Sequence, residues 1–283
     1  MDQQIIKLYD EYTHKPLSRN EFIRRLVQIT GSFTAAMAIL PVIETNYSKA
    51  TITSSDDLFT EHITYPGSKG EMKAYVARPK KDAKYAAVMV IHENRGLNPH
   101  IEDVARRAAT AGYLAIAPDA LSPQGGTPVD EDQARELFSK LDAKETLQNF
   151  IHGFNYVKTR KDCNGSLGCV GFCWGGGLAN QLAVSMPDLK ATVAFYGRQP
   201  EASDVPKIKA AVQLHYGGLD ERINAGIPAY EEALKKAGII YELYIYEGAN
   251  HAFHNDTSAA RYNEAAAKLA WKRTLDFYSK YLK

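Results

Sequence analysis

Short apolar runs alternate with longer amphipathic stretches along most of the chain. Residues 86–92, 166–172 and 191–195 are mostly apolar, which is typical of strands that are buried on both faces of a sheet. Stretches such as residues 143–159 instead repeat apolar residues at the three- and four-residue spacing of a helix. Because strands and helices alternate, the pattern predicts an α/β fold with a mostly parallel central sheet and helices on both faces. The predicted strands are 61–66, 72–79, 86–92, 113–117, 166–172, 191–195, 210–216 and 241–246, and the predicted helices are 100–111, 130–141, 143–159, 174–186, 227–237 and 258–282.

The first fifty residues have a different pattern, and we treat residues 1–50 as an extension to a domain that spans residues 51–283. Residues 1–15 are polar except for an apolar stripe within positions 5–9, which predicts a short amphipathic helix. The sequence of residues 51–283 contains no internal repeat, so a single domain is expected there.

Residues 18–50 contain the three parts of an export signal. Basic residues within 19–25 precede the mostly apolar run 26–43, and the small residues of 48–50 have the form of a cleavage site. The segment resembles a twin-arginine signal in which Asn20 replaces one of the paired arginines. Two interpretations follow: a signal that leads to the periplasm, or a helical arm that packs on the domain or on a second subunit of a homodimer. Asn20 breaks the defining pair, so we expect a cytoplasmic protein, and the polar residues in 26–43 argue against a stable membrane span.

Composition narrows the function without fixing it. The chain has 283 residues, of which 45% are hydrophobic and 24% are charged, and its formal net charge is +1. These values are typical of a globular domain and give no basic surface for nucleic acid. The three cysteines, Cys163, Cys169 and Cys173, are clustered and odd in number, which fits neither a disulfide framework nor a zinc site. A bridge between Cys163 and Cys169 stays open at this point, and no metal or cofactor is expected.

Residues 171–175 read Gly-Phe-Cys-Trp-Gly, between a predicted strand and a predicted helix. Strand, sharp turn and helix are the setting of a nucleophile elbow, in which glycines let the strand and helix approach closely. The side chain of Cys173 then lies at a helix N-terminus, where the local positive charge favours a thiolate. A buried cysteine that only packs is the alternative, but no Gly-x-Ser-x-Gly motif competes for the role.

Two further strand ends supply an acid and a base. Asp220 follows the predicted strand 210–216, and His251 follows the last predicted strand. The chain order of Cys173, Asp220 and His251 is nucleophile, acid, base, which is the order of α/β-hydrolases. Asp220 could instead be an ordinary turn residue, and His254 is the nearest alternative base.

Four motifs together look like the dienelactone hydrolase family, over about residues 55–283. They are Gly-Phe-Cys-Trp-Gly-Gly at 171–176, Gly-Gly-Leu-Asp at 217–220, Gly-Ala-Asn-His-Ala-Phe at 248–253, and His-Glu-Asn-Arg-Gly at 92–96. The resemblance implies the α/β-hydrolase fold, with a cysteine, a histidine and an aspartate as the catalytic triad.

The resemblance also implies a role for Glu93. In the family, a glutamate at this place interacts with the resting cysteine and releases it when substrate binds, so Glu93 is expected to mask Cys173. A carboxylate that only caps the following loop is the alternative. In this fold the oxyanion hole is formed by the backbone N–H after the nucleophile, here that of Trp174, and by one from the loop near Asn94.

The sequence indicates the type of reaction more clearly than it indicates the substrate. Family members that cleave dienelactones are similar to one another in holding the substrate carboxylate with arginines. Here residues 254–256 contain no arginine, the next being Arg261, and Arg135 is displaced by about one helical turn. Trp174 and Tyr196 could line a pocket for an aromatic or unsaturated acyl group, although both could equally pack in the core.

We therefore predict a hydrolase that cleaves a small ester or lactone through an acyl-enzyme, without cofactor or metal. A broad carboxylesterase or thioesterase of the same fold is the nearer alternative. A thiol-sensing or binding protein without turnover is the alternative from another class, but a sensor needs no acid and base in this order.

Overall fold

An eight-stranded sheet forms the centre of the structure, a computed structural model that describes residues 1–15, 17–47 and 53–283. The spatial order is β1-β2-β4-β3-β5-β6-β7-β8. The first two strands form an antiparallel hairpin, β2 also pairs antiparallel with β4, and the remaining neighbours are parallel. The strands are β1 (Leu58–Gly67), β2 (Gly70–Pro79), β3 (Tyr85–Ile91), β4 (Leu114–Pro118), β5 (Cys163–Phe172), β6 (Ala191–Phe195), β7 (Ala211–Gly217) and β8 (Tyr241–Tyr246).

Helices cover both faces of this sheet, and the sheet separates two hydrophobic cores. Alternate residues of one strand point to opposite faces, so Met89 of β3 packs in one core while Val88 and Val90 pack in the other. The first core lies under α6, α7 and α9, and the second lies under α4 and α10. The helices of the domain are α4 (Pro99–Thr110), α5 (Glu131–Phe138), α6 (Ala143–Thr159), α7 (Trp174–Ser185), α8 (Glu221–Asn224), α9 (Ile227–Ala237) and α10 (Glu264–Tyr281).

The register of the parallel strands brings their carboxyl ends to one edge of the sheet. Ile91 of β3 pairs with Gly171 of β5, and Phe172 pairs with Phe195 of β6. The loops after β3, β5, β7 and β8 therefore meet at the same edge, which is where ligands bind in open α/β sheets.

The predicted α/β fold is confirmed, and the predicted helices 143–159 and 227–237 have the observed bounds. The predicted C-terminal helix starts too early, because α10 begins at Glu264. Asn263 is its N-cap and accepts a hydrogen bond from the Ala266 N–H at 3.1 Å.

A Cys163–Cys169 bridge is excluded by the fold. Both residues lie on β5, where an extended strand separates them by roughly 20 Å. A disulfide needs Cα atoms closer than about 7 Å, and all three cysteines are free thiols.

The extension forms three helices with a small core of its own. They are α1 (Gln3–His14), α2 (Arg19–Thr30) and α3 (Phe33–Ile43), and the first confirms the predicted amphipathic helix. Side-chain caps at Asp2, Ser18 and Ser32 begin the three helices. Their shared core contains Ile5, Leu8, Tyr9, Tyr12, Phe22, Leu26, Ala36, Leu40 and Ile43. The predicted cleavage site at 48–50 lies outside the described residues.

Within the described ranges, no single helix has both the length and the apolar composition to cross a membrane. Together α2 and α3 have the length and composition, but the chain bends by 112° between them.

Candidate active site

Cys173 occupies a strained turn between β5 and α7. Its backbone has φ 56° and ψ −114°, a conformation that residues with a Cβ rarely adopt. Glycine is required on both sides, because a Cβ at Gly171 would lie 1.9 Å from the Gly175 carbonyl oxygen, and one at Gly175 would lie 2.5 Å from that of His92. The fold thus has the predicted elbow, and the thiol is 7% exposed at the head of α7.

His251 and Asp220 form a buried pair beside the elbow. Nδ1 of His251 lies 2.5 Å from Oδ2 of Asp220, and both side chains are almost fully buried. This contact fixes the imidazole and directs Nε2 away from the carboxylate. Nε2 is buried and has no hydrogen-bond partner among the described residues. Ligand atoms of His251, Cys173 and His14 all lie within 4.8 Å of one another.

His254, the alternative base, is a core residue, and so is His215. His254 is buried and stacks on Phe172 with ring centroids 4.9 Å apart. Burial and then the charge of Arg107 hold the pKa of His254 well below its ordinary value. His215 contacts the Tyr246 hydroxyl through Nδ1, and burial lowers the pKa of His215 to about 3. Neither ring has a hydrogen bond to Cys173 among the described contacts.

His14 also contacts the nucleophile, although it lies in none of the motifs named above. Nε2 of His14 lies 3.1 Å from Sγ of Cys173, and its ring meets His251 edge-on with centroids 4.8 Å apart. Nδ1 lies 3.1 Å from Oδ1 of Asp10 and 2.8 Å from the Asp10 carbonyl oxygen. The only sequence signal was the i, i+4 spacing of Asp10 and His14 on one face of α1.

Electrostatics favour charge on both members of this pair. Burial lowers the pKa of His14, but a Cys173 thiolate and the hydrogen bond with Asp10 outweigh burial and raise it above its ordinary value. Burial raises the pKa of Asp10, but the charges that His251 and His14 can carry outweigh burial and lower it well below its ordinary range. The carboxylate of Asp10 therefore stabilises a protonated His14.

Glu93 has hydrogen-bond partners other than Cys173. Its Oε1 accepts a hydrogen bond from the Tyr196 hydroxyl at 3.3 Å, and its Oε2 accepts one from the Asn255 amide at 2.7 Å. No described hydrogen bond joins Glu93 to Cys173, and Nε2 of His14 lies beside the sulfur. The masking role that the resemblance implied for Glu93 stays a prediction.

Asn94 and Trp174 line the same cleft as Cys173. The Asn94 side chain donates to the Thr13 carbonyl oxygen at 2.7 Å and so holds the end of α1. Trp174 is the first residue of α7, where a backbone N–H has no partner within the helix. Both backbone N–H groups stay predictions as oxyanion donors.

A cleft of about 1010 Å³ opens in front of Cys173. Its lining includes Trp174, Tyr196 and Arg198, several residues of and around α5, and Thr13, His14, Lys15, Leu17, Ser18 and Arg19 of the extension. One wall of the cleft therefore comes from the extension.

Arg135 lines this cleft, but its guanidinium is engaged. It donates to the carbonyl oxygens of Tyr12 at 2.6 Å and Leu17 at 3.2 Å, and lies 4.1 Å over the Tyr12 ring. This arginine joins the extension to α5, and its expected role in substrate binding stays a prediction. Tyr196 is fully buried and packs on His251 with centroids 5.0 Å apart.

One group of described side chains could hold a metal ion, namely His14, Cys173 and His251. Two imidazoles and a thiolate suit Zn²⁺, and each imidazole has a carboxylate behind it, as zinc-ligating histidines commonly do. A bound metal would occupy the sulfur that must attack the substrate, so the expectation of a metal-free enzyme stays a prediction.

Known proteins agree with this architecture. A profile of the dienelactone hydrolase family matches residues 72–282. A provisionally named carboxymethylenebutenolidase of Methylorubrum extorquens is 34% identical over 275 residues, which covers 91% of this chain and 93% of that protein. One from Saccharolobus solfataricus is 33% identical over 255 residues, or 77% and 97% of the two chains. The crystal structure of a provisionally named dienelactone hydrolase from Klebsiella pneumoniae superposes with a TM-score of 0.73 at 32% identity, covering 79% of this chain and 99% of that one.

The Methylorubrum match covers more of the chain than residues 51–283 make up, so it includes part of the extension. The family match covers most of the domain, including the elbow and both loops that carry Asp220 and His251. The chain therefore belongs to the dienelactone hydrolase family and is a hydrolase that acts on ester or lactone bonds.

Proposed function

We propose that the protein hydrolyses its ester or lactone through a Cys173 thiolate, with His251 as base and Asp220 as the residue that orients it. The observation that carries this proposal is the environment of His251. Asp220 binds its Nδ1, while its Nε2 is buried, without a hydrogen-bond partner in the described residues, and close to the sulfur. A buried imidazole nitrogen without a partner is costly unless a reacting group satisfies it.

Acylation begins when Sγ attacks the carbonyl carbon. The carbonyl oxygen becomes an oxyanion, which the N–H groups of Trp174 and Asn94 stabilise. The carbon–oxygen bond to the leaving group then breaks, His251 gives the leaving oxygen the proton that it took from the Cys173 thiol, and a thioester on Cys173 remains.

Water completes the cycle. His251 takes a proton from water through Nε2, and the hydroxide attacks the thioester. The sulfur leaves, and the carboxylic acid is released. In a lactone both oxygens stay on one product, an open-chain hydroxy or keto acid.

The cleft favours a small substrate that carries a carboxylate. Arg198 lines it, is exposed, and has no ion-pair or hydrogen-bond partner for its guanidinium among the described residues. The other basic side chains at the cleft are paired: Lys15 with Glu11, Arg19 with Glu44 and Asp132, Arg135 with Asp132, and Arg222 with Asp10. We infer that Arg198 binds the substrate carboxylate. The same cleft also has an apolar part, in which Trp174 packs edge-on against Phe138 with ring centroids 4.7 Å apart.

A panel of p-nitrophenyl esters and cyclic enol lactones, with and without a carboxylate, tests the proposal. We expect turnover of both classes by the wild type, a preference for substrates with a carboxylate, and loss of all turnover in Cys173→Ala. The matched control is Cys163→Ala, a buried cysteine at the other end of β5, which should leave turnover unchanged. Stoichiometric labelling of Cys173 without turnover of any substrate would instead support a thiol sensor.

A further inference from the structure

We propose that His14 is a second catalytic residue at Cys173, positioned by Asp10, and that it carries the proton of acylation while His251 carries the proton of deacylation. The inference rests on the proposed hydrolase chemistry and divides between two imidazoles the work that His251 would otherwise do alone.

The first support is distance. Nε2 of His14 is at hydrogen-bond distance from Sγ, 3.1 Å, whereas no described hydrogen bond joins His251 to the sulfur. A group that exchanges a proton with the nucleophile must lie within such reach. In the resting enzyme His14 meets this requirement and His251 does not.

The second support is that both imidazoles have the same construction. Oδ1 of Asp10 lies 3.1 Å from Nδ1 of His14, beside the Asp10 carbonyl oxygen at 2.8 Å and the Thr13 hydroxyl at 2.9 Å, and Oδ2 of Asp220 lies 2.5 Å from Nδ1 of His251. In each case a carboxylate lies at Nδ1, and Nε2 is the nitrogen left for the chemistry. A histidine that only packed against the thiol would need no such carboxylate.

The third support is that the structure holds the end of α1 firmly. The carbonyl oxygens of the two residues before His14 are both bound, that of Tyr12 by Arg135 at 2.6 Å and that of Thr13 by Asn94 at 2.7 Å. Near the start of the helix, Gln3 donates to the Asn250 side chain at 2.5 Å, next to His251. The imidazole is therefore placed by contacts at both ends of α1.

The charged groups around His14 are the fourth support. Asp10, Cys173 and His251 are the titratable groups that face His14, and Arg222 lies 3.4 Å from the far oxygen of Asp10. Among these groups, His14 has a raised pKa, so its protonated ring faces the sulfur. Nε2 of His251 has no hydrogen-bond partner in the described residues, so it is available to the water that attacks the thioester.

Each proton that moves in this mechanism has a donor and an acceptor. The thiolate attacks, and protonated His14 gives its proton to the leaving oxygen as the carbon–oxygen bond breaks. Neutral His251 then removes a proton from water, and the attack of hydroxide expels the thiolate. The proton on His251 returns through the sulfur to His14, which restores the resting state, with one water consumed and one acid and one alcohol formed.

Two esters of the same acid, one of p-nitrophenol and one of ethanol, provide the test. Both give the same thioester, so deacylation is identical, but p-nitrophenolate leaves without a proton and ethoxide does not. We expect His14→Gln to lower kcat/KM about tenfold for the p-nitrophenyl ester, because the thiolate loses its partner. We expect a loss on the order of 10³-fold for the ethyl ester, because general acid catalysis is lost.

Three further variants make the result decisive. Asp10→Asn should give the same selectivity at smaller amplitude, and His251→Ala should lower turnover of both esters. Lys7→Ala removes only an exposed ion pair between α1 and Glu221 and should leave both rates within about twofold. Near-UV circular dichroism that matches the wild type shows that His14→Gln keeps α1 in place.

Equal losses for the two esters in His14→Gln would overturn the acid role and leave the proposed hydrolase function intact. A gain in rate for both esters would overturn it as well, because His14 would then be a plug on the thiol. Full activity of Cys173→Ala would instead refute the proposed function itself.

Discussion

The domain and the extension contribute to the same site by different physical means. The domain supplies Cys173, Asp220 and His251 from the ends of parallel strands, whose register is fixed by ladders of backbone hydrogen bonds. The extension supplies His14 from the end of a helix that is held by polar ties to Asn94 and other side chains. A sheet edge fixes a site through the whole fold, whereas a docked helix fixes it through a few contacts that single substitutions can remove.

The largest expected effect is on the part of the site that the sheet supplies. Cys173→Ala and His251→Ala should each lower kcat by at least about 10⁴-fold, because members of a triad act as a unit. Steady-state kinetics on the ester panel measures this. If His251→Ala retained near-native turnover while His254→Ala lost it, the base would be misassigned.

Removal of the extension separates the two contributions. A chain that starts at residue 51 lacks α1 and should lose turnover of the ethyl ester by about the same factor as His14→Gln, on the order of 10³-fold. Full activity of that shortened chain would show that the extension has no part in catalysis.

A catalytic role for residues 1–50 also has a consequence for export of the protein. A signal cleaved near residues 48–50 would remove His14 from the mature enzyme. We therefore expect the active cellular fraction to contain the full-length chain, which fractionation followed by intact-mass measurement can check. A mass that corresponds to a chain starting at Thr51 would support export and argue against His14.

The domain site could be predicted from sequence because its signals are local. Cys173 lies in a motif whose glycines are needed for one strained turn, and Asp220 and His251 follow short apolar or aromatic runs that form strands β7 and β8. His14 lies 159 residues from Cys173 in the chain, and no local pattern shows where α1 docks.

Contacts from residues 1–50 surround two of the residues singled out in the domain. Glu93 hydrogen-bonds to Tyr196 and Asn255, while His14 lies beside the sulfur. Arg135 lines the cleft, and its guanidinium binds the carbonyl oxygens of Tyr12 and Leu17. These contacts could not be predicted from sequence, because no local pattern shows where α1 docks.

The pH dependence of thermal stability should show whether the protonated His14 helps to hold the extension on the domain. The pKa of His14 is raised in the folded protein, so its contribution to stability is fully present below about pH 6.5 and is lost as the pH rises through the folded-state pKa. The Tm of the wild type should therefore exceed that of His14→Gln at pH 6, and the difference should shrink towards pH 9. A constant difference across this range would mean that the His14 charge does not hold the extension.

A smaller effect is expected at the cleft cation. Arg198→Ala should raise KM about three- to fivefold for an ester that carries a carboxylate, the size expected of one exposed ion pair. KM for the uncharged isostere should not change. The control is Lys207→Ala, which removes a surface cation already paired with Asp204. Equal effects on both esters would remove Arg198 from substrate recognition.

The pH profile of alkylation at Cys173 tests most directly whether two carboxylate–histidine pairs serve one sulfur. Iodoacetamide reacts with the thiolate, and intact-mass measurement in a background of Cys163→Ala and Cys169→Ala counts adducts on Cys173 alone. With His14 present, we predict rapid alkylation already at pH 6, and in His14→Gln a profile displaced to higher pH. In Glu93→Gln we predict only a small increase in rate, since Glu93 has no hydrogen bond to the sulfur. Superimposable profiles for wild type and His14→Gln would contradict the account.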